Sequence, residues 1–262
     1  RRRLRRLTRA LGQARDADVQ LIFLEEYLAK LPDERERAGV KRLTASIGRQ
    51  RQKLQKQVLK ALDKVEDSGI LSDMRRSFQP AADAAVPSGR EQGAPAPIGR
   101  ARAAIEARRH EVLAYEPRMR DPRNSAELHR MRIAAKHLRY CMEAFAHLFS
   151  GRLKRPIKTA KAIQEMLGDI HDSDMWSVVL DGFLEREAGR EQKSHGEALS
   201  LKRLRPGIQG LIKNRKSFRD RRYRAFLAYW GLHAGDWKDL LDLLFAASRD
   251  ADPHGEGNGV DG

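Results

Sequence analysis

The stretch LGQARDADV, Leu11 to Val19, returns as LGDIHDSDM, Leu167 to Met175, at an offset of 167 − 11 = 156 residues. Gly12 coincides with Gly168, Asp16 with Asp172 and Asp18 with Asp174. The same offset sets Leu24 on Leu180, Leu28 on Leu184, Arg2 on Lys158 and Arg5 on Lys161. Apolar and basic positions therefore repeat together. A looser match sets Arg51 on Arg215 and Leu54 on Phe218. A repeat of this kind constrains the fold more than any other feature, because related units must bury related faces.

Within each unit the apolar spacing is helical, and no segment reads convincingly as a strand. Aromatic residues make up only 6% of the chain, which suits aliphatic helical cores. Helices are expected over Arg2 to the Gly12 region, Asp16 to Lys30, Glu34 to Val65 and a short piece near Leu71. Further helices are expected at Arg100–Tyr115, Ser125–Phe149, Leu153–Leu167, Asp172–Glu187, Arg205–Gly231 and Trp237–Ser248. The Ala-, Pro- and Gly-rich stretch Pro80 to Gly99 reads as a linker, and the tail from Asp250 has little to bury. The expected organisation is a first helical repeat over 1–79, a linker over 80–99, a second repeat over 100–249 and a disordered tail over 250–262.

Charge bears on function. Lys and Arg number 52 against 36 Asp and Glu, giving a formal net charge of +16. Such an excess favours polyanionic partners. It is concentrated in LHRMRIAAKHLRY, Leu128 to Tyr140, which has no acid. At 100° per residue, Met131, Ala135, Leu138, Met142, Phe145 and Phe149 form a core face. His129, Arg132, Lys136, Arg139 and Tyr140 share an adjoining sector, and Arg130 and His137 lie on a further flank. Cations stacked one turn apart repel one another, and a ligand with regularly spaced negative charge reverses that effect. Ser125 or Asn124 is expected to cap this helix. A second acid-poor run, Arg215 to Arg224, contains Arg222 and only one acid, Asp220.

Other chemistries have weaker support. His129, His137 and His171 are the metal candidates, but His129 and His137 sit on different flanks among cations, so no metal site is expected. The aspartates of RDADV and HDSDM follow a glycine and are expected to cap helix starts, or to brace neighbouring arginines, rather than to act in catalysis. Cys141 is the only cysteine, which excludes an internal disulfide and fits a cytoplasmic protein. There is no Walker loop, dinucleotide fingerprint or nucleophile elbow. No catalytic residue and no cofactor is expected. No apolar run is long enough to cross a bilayer.

The segment LHRMRIAAKHLRYCMEAF resembles the signature of the CHAD family, the conserved-histidine α-helical domain. Its His-x-x-Arg-x-x-x-Lys-x-x-Arg-Tyr pattern is met by His129, Arg132, Lys136, Arg139 and Tyr140. LGDIHDSD and RRYRAFLAYW are similar to later family segments, so the resemblance runs from Arg1 to about Ser248. It implies an all-α fold of two pseudo-symmetric, four-helix-type units with a central basic groove. It also implies non-enzymatic binding of inorganic polyphosphate, on polyphosphate granules in some members. The candidate contacts are His129, Arg132, Lys136, Arg139, Tyr140, Arg130, His137, Arg2, Arg5, Lys158, Lys161, Arg51, Arg215 and Arg222. In the second unit the cationic helix precedes the Leu153 helix. A first-unit counterpart would lie before Arg1, so truncation of that helix is expected. The competing reading is a non-specific nucleic-acid-binding protein, which the net charge fits equally well. Against it, no aromatic stacking set is interleaved with the basic residues. A hydrolase would need an acid cluster or a nucleophile, and neither is evident.

Overall fold

The structure is a computed structural model that describes residues 2–83, 97–193, 201–233, 235–237 and 240. The described residues are helical and include no strand. In order they form α1 (Arg2–Lys30), α2 (Glu34–Glu66), α3 (Ile70–Asp83), α4 (Pro97–Leu113), α5 (Glu116–Met119), α6 (Ser125–Phe145), a 3₁₀ turn (Ala146–Phe149), α7 (Lys154–Lys193) and α8 (Leu201–Leu232).

Compactness divides the chain into one unit of Arg1–Glu91 with Val179–Lys213 and another of Gln92–Val178 with Asn214–Gly262. Each unit thus draws on both sequence segments. The end of α7 and the start of α8 belong with α1 to α3, and the rest of both helices belongs with α4 to α6.

In the first unit, α1 and α2 form a hairpin whose turn is set locally. Pro32 disfavours helical conformation in the residue before it. Asp33 caps α2, its carboxylate accepting from the Arg35 backbone N–H at 2.8 Å, and Glu34 and Glu36 occupy the favourable first turn. The Arg37 guanidinium donates to the Leu28 and Leu31 carbonyls at 2.8 and 2.9 Å, satisfying carbonyls that the end of α1 leaves open. Small buried residues on α1, Ala10, Ala14 and Ala17, accompany Leu43, Ile47 and Leu54 buried on α2. α2 also meets the start of α8 very closely. A Cβ added to Gly39 would overlap the Leu204 carbonyl oxygen, and one added to Gly207 would overlap that of Glu36.

In the second unit one apolar core joins Ile105 and Val112 of α4, Met131, Leu138 and Met142 of α6, Ile163, Leu167 and Ile170 of α7, Phe226 and Trp230 of α8, and Trp237. The Tyr223 hydroxyl donates to the Met119 carbonyl at 2.8 Å and ties α8 to α5.

Several expectations need correction. α1 runs unbroken through Gly12 and α7 through Gly168, where two helices each were expected. A mid-helix glycine costs about 1 kcal/mol, which the burial of Ala10, Ala14, Leu167 and Ile170 around it offsets. The aspartates therefore lie within helices and do not cap them. Asp18 instead accepts from Arg51 Nε at 2.6 Å, and Asp174 from Arg219 Nε at 2.5 Å. These two clasps make Arg219 the counterpart of Arg51, in place of Arg215. α6 begins at Ser125 without a side-chain cap, because the Asn124 amide donates to the Arg118 carbonyl at 2.9 Å. It also ends at Phe145, four residues early, in the 3₁₀ turn. α3 and α4 reach into both ends of the expected linker, whose centre at 84–96 lies outside the described residues. The tail and most of Trp237–Ser248 also lie outside them.

Candidate functional site

The core stripe of α6 orients its cations. With Met131, Ala135, Leu138 and Met142 fully buried, the next sector of the helix carries His129, Arg132, Lys136, Arg139 and Tyr140. Two contacts define how this sector meets α7. The rings of His129 and His171 lie 4.1 Å apart between centroids. Arg132 Nε lies against Gly168, 3.5 Å from where a Cβ would stand. The two helices are therefore antiparallel, with 129 level with 171 and 132 with 168. Continued along both helices, that register brings Lys136 to the level of Gln164 and Arg139 to the level of Lys161. Lys161, Gln164, Gly168 and His171 recur at three- and four-residue spacing and share one side of α7.

The electrostatics of this face are unusual for a protein interior. Among the described residues, the Nε groups of Arg132 and Arg139, His129 Nδ1 and Gln164 Oε1 are buried and have no hydrogen-bond partner. A buried donor without an acceptor costs about 1–3 kcal/mol, and more when it is charged. Burial pushes the His129 imidazole below its usual range, and the neighbouring His171 and Arg132 push the same way. Tyr140, 47% exposed, is a platform for two cations, with Arg139 4.5 Å and Lys136 5.6 Å from its ring centroid. Arg139 also approaches Glu143 at 3.7 Å. On α7, Lys158 and Lys161 are exposed, and Lys161 is 3.8 Å from Glu165.

Other candidates are placed differently. Arg130 and His137 line a separate cavity of about 430 Å³ with Tyr115, Arg118, Glu127 and Ile133, and Arg130 pairs with Glu127 at 2.5 Å. The acid-free run thus finds acids just beyond its ends, in Glu127 and Glu143. Arg222 pairs with Asp169 at 2.6 Å, although its Nε is buried without an acceptor. Arg215 lies over the Phe218 ring at 4.8 Å and donates to the Asn214 side chain. Arg2, Arg5 and Arg51 belong to the first unit, where Arg2 and Arg5 are exposed and Arg51 is held by Asp18.

Gln164 was missed in the sequence, and His171 was considered only as a metal ligand. Their spacing from Lys161 on α7 was the available signal. Among the described residues no group of three His, Cys, Asp or Glu side chains could hold a metal ion. Among them, too, no helix is long and apolar enough to cross a membrane. Burial raises the Cys141 thiol above its usual range, against a small opposing effect of Arg108, which leaves it a poor nucleophile.

No curated protein and no solved structure matches the chain. A family model described as the CHAD domain matches residues 1–181, which takes in α1 to α6 and α7 as far as Asp181 and leaves α8 outside. With the signature residues gathered on one face of α6 and the family model spanning most of the sequence, the chain belongs to the CHAD family.

Proposed function

We propose that the chain binds inorganic polyphosphate without catalysing its turnover, and that the α6–α7 face of the second unit supplies the contacts. One observation carries this reading. Arg132 and Arg139 are packed into the protein with buried Nε–H donors that no acceptor among the described residues meets, and the exposed Lys136 stands between them on the same sector. A structural ion-pair network would have provided those acceptors. The buried Nε groups fix how the two side chains stand, and their part-exposed outer ends with the exposed Lys136 are what a chain of anions can meet, since Arg and Lys both bind phosphate oxygens well. One helical turn rises about 5.4 Å, so the cations are offered at steps along α6 that an extended phosphate chain can follow. Lys158 and Lys161 extend the cationic surface from α7, and Arg215 and Arg222 extend it from α8.

The reading also takes the two units as related, four-helix-type repeats. The matching Asp18–Arg51 and Asp174–Arg219 clasps support that equivalence. Arg2, Arg5 and Arg51 are then the first unit's own candidate contacts, and recruitment to polyphosphate granules is the expected cellular consequence.

The test is a competition titration. Labelled long-chain polyphosphate is bound at near-physiological salt and challenged with duplex DNA, RNA and short phosphates. Retention of polyphosphate against excess nucleic acid is expected. Equal displacement by DNA would replace this reading with a general nucleic-acid-binding surface, whose affinity is dominated by phosphate contacts. Release of orthophosphate during the titration in Mg²⁺ or Mn²⁺ would overturn the non-catalytic part.

A further inference from the structure

Val19 and Ile22 of α1 are 53% and 57% exposed, and Met175 and Val178 of α7 are 44% and 65% exposed. The two pairs are equivalent, since at the offset of 156 Val19 falls on Met175 and Ile22 on Val178. A lone exposed apolar residue is ordinary on a protein surface. Here two stand three residues apart, as neighbours on one ridge of a helix, and both repeats keep them open. On α7, Met175 comes one turn after His171, and the pair is open although α6 runs along the same helix.

The surroundings of both pairs are acidic, in a chain whose formal net charge is +16. Residues 16–26 include four acids, residues 172–185 include four, and neither stretch has a Lys, Arg or His. Asp16, Glu25 and Glu26 are exposed on α1, and Asp172, Asp181 and Glu185 are exposed on α7. Arg51 and Arg219 reach in from other helices, but to Asp18 and Asp174. Asp16 precedes Val19 by three residues, and Glu25 follows Ile22 by three. Asp172 and Asp181 hold the same places around Met175 and Val178. Each apolar pair therefore has an acid one turn before it and one turn after it, within about 14 Å of helix.

Carboxylates at these places repel a polyphosphate chain, and they repel an anionic lipid surface for the same reason. The ridge is convex, so it suits a macromolecular surface better than a small molecule. A ridge of residues three apart seats in the groove of a facing helix, and helices recognised in this way present apolar anchors at one-turn spacing. We propose that the ridge of Asp172, Met175, Val178 and Asp181 on α7, and its equivalent of Asp16, Val19, Ile22 and Glu25 on α1, each dock a basic amphipathic helix of another protein. Apolar side chains of that helix cover the exposed pair, and a Lys or Arg one turn to either side meets the carboxylates. A second copy of this chain is a poor occupant, because two chains of charge +16 repel one another.

The test uses the full chain without polyphosphate at near-physiological salt. The probe is a fluorescein-labelled synthetic helix with two leucines three residues apart, a lysine one turn beyond each and alanine elsewhere. Fluorescence anisotropy reads its binding. The peptide binds, and replacing both leucines by alanine weakens binding about tenfold or more. Met175→Gln and Val178→Gln, combined with Val19→Gln and Ile22→Gln, produce a loss of the same size. The unfolding temperature of that variant holds, because all four side chains are exposed. Glu25→Lys with Asp181→Lys turns the preference toward a peptide that carries glutamate in place of one lysine. Asp63→Lys with Glu66→Lys makes the same change of charge at exposed places on α2 and leaves the preference where it was. Binding indifferent to the Gln changes, or an equal response to the two charge reversals, overturns the proposal. Self-association of the chain that the Gln changes dissolve also overturns it and assigns the ridges to a second copy. None of these results depends on polyphosphate binding, which is measured separately in the parent chain.

Discussion

Asp174, in the middle of α7, accepts a 2.5 Å hydrogen bond from Arg219 Nε, and the same guanidinium donates to the Pro122 carbonyl at 2.7 Å. Arg219 thereby ties α7 and α8 to the loop that leads into α6. The Arg219 and Asp174 side chains are 15% and 24% exposed, buried enough for loss of one partner to be felt. Asp174→Ala is expected to lower stability by about 1–3 kcal/mol, since it strands a mostly buried guanidinium. Thermal unfolding followed by circular dichroism measures this. An unchanged unfolding temperature would show that the clasp is dispensable.

Arg132 is the reverse case, because its buried Nε has no partner. Arg132→Ala with Lys136→Ala is expected to weaken long-chain polyphosphate binding about tenfold to a hundredfold, and the unfolding temperature should not fall. Fluorescence titration and thermal unfolding of one preparation give both readings. A drop in stability with intact binding would assign Arg132 to the architecture.

The close backbone approach of α2 and α8 at Gly39 and Gly207 gives a purely steric prediction. Gly39→Ala or Gly207→Ala places a methyl group on a carbonyl oxygen of the facing helix. Each change should cost about 1–3 kcal/mol or more, as overpacking does. Gly12→Ala is the control, because nothing lies within 4 Å of its Cβ position. It should stabilise α1 by about 0.5–1 kcal/mol. Urea unfolding of the three variants would show the contrast.

The pairing of His129 with His171 has a pH consequence. Burial, His171 and Arg132 hold the folded His129 below its unfolded value of about 6.5. The unfolded chain therefore binds the proton more readily. This residue's effect on stability is absent above about pH 6.5, and stability is lost as the pH falls through that value toward the folded pKa. His129→Gln should flatten the loss between neutral and mildly acidic pH, as read from unfolding temperatures. Bound polyphosphate favours the imidazolium, so its affinity for the parent chain should rise over the same interval, and proton uptake measured by calorimetry in two buffers should accompany binding.

The helical character was legible in the apolar spacing, and the spacing of Met131, Leu138 and Met142 made the buried face of α6 legible. Both are properties of order along the chain, set by local periodicity and by which residues are apolar. The same local reasoning failed at Gly12 and Gly168. There a glycine followed by aspartates looks like a helix boundary, and only burial of the surrounding residues together with the distant Arg51 and Arg219 keeps the helices continuous. Local order did set Arg130 and His137 on a different flank from His129 and Arg132, but not what each flank meets, a cavity of its own for the first pair and His171 and Gly168 for the second. Nor could it distinguish a compensated cation such as Arg219 from an uncompensated one such as Arg132. Compensation depends on which carboxylate or carbonyl lies within about 3 Å, and helices far apart in the sequence decide that when they pack. The sequence by itself determined that the chain is helical, repeated and cationic. The tertiary structure decided which of its charges meet a carboxylate or carbonyl of the chain itself.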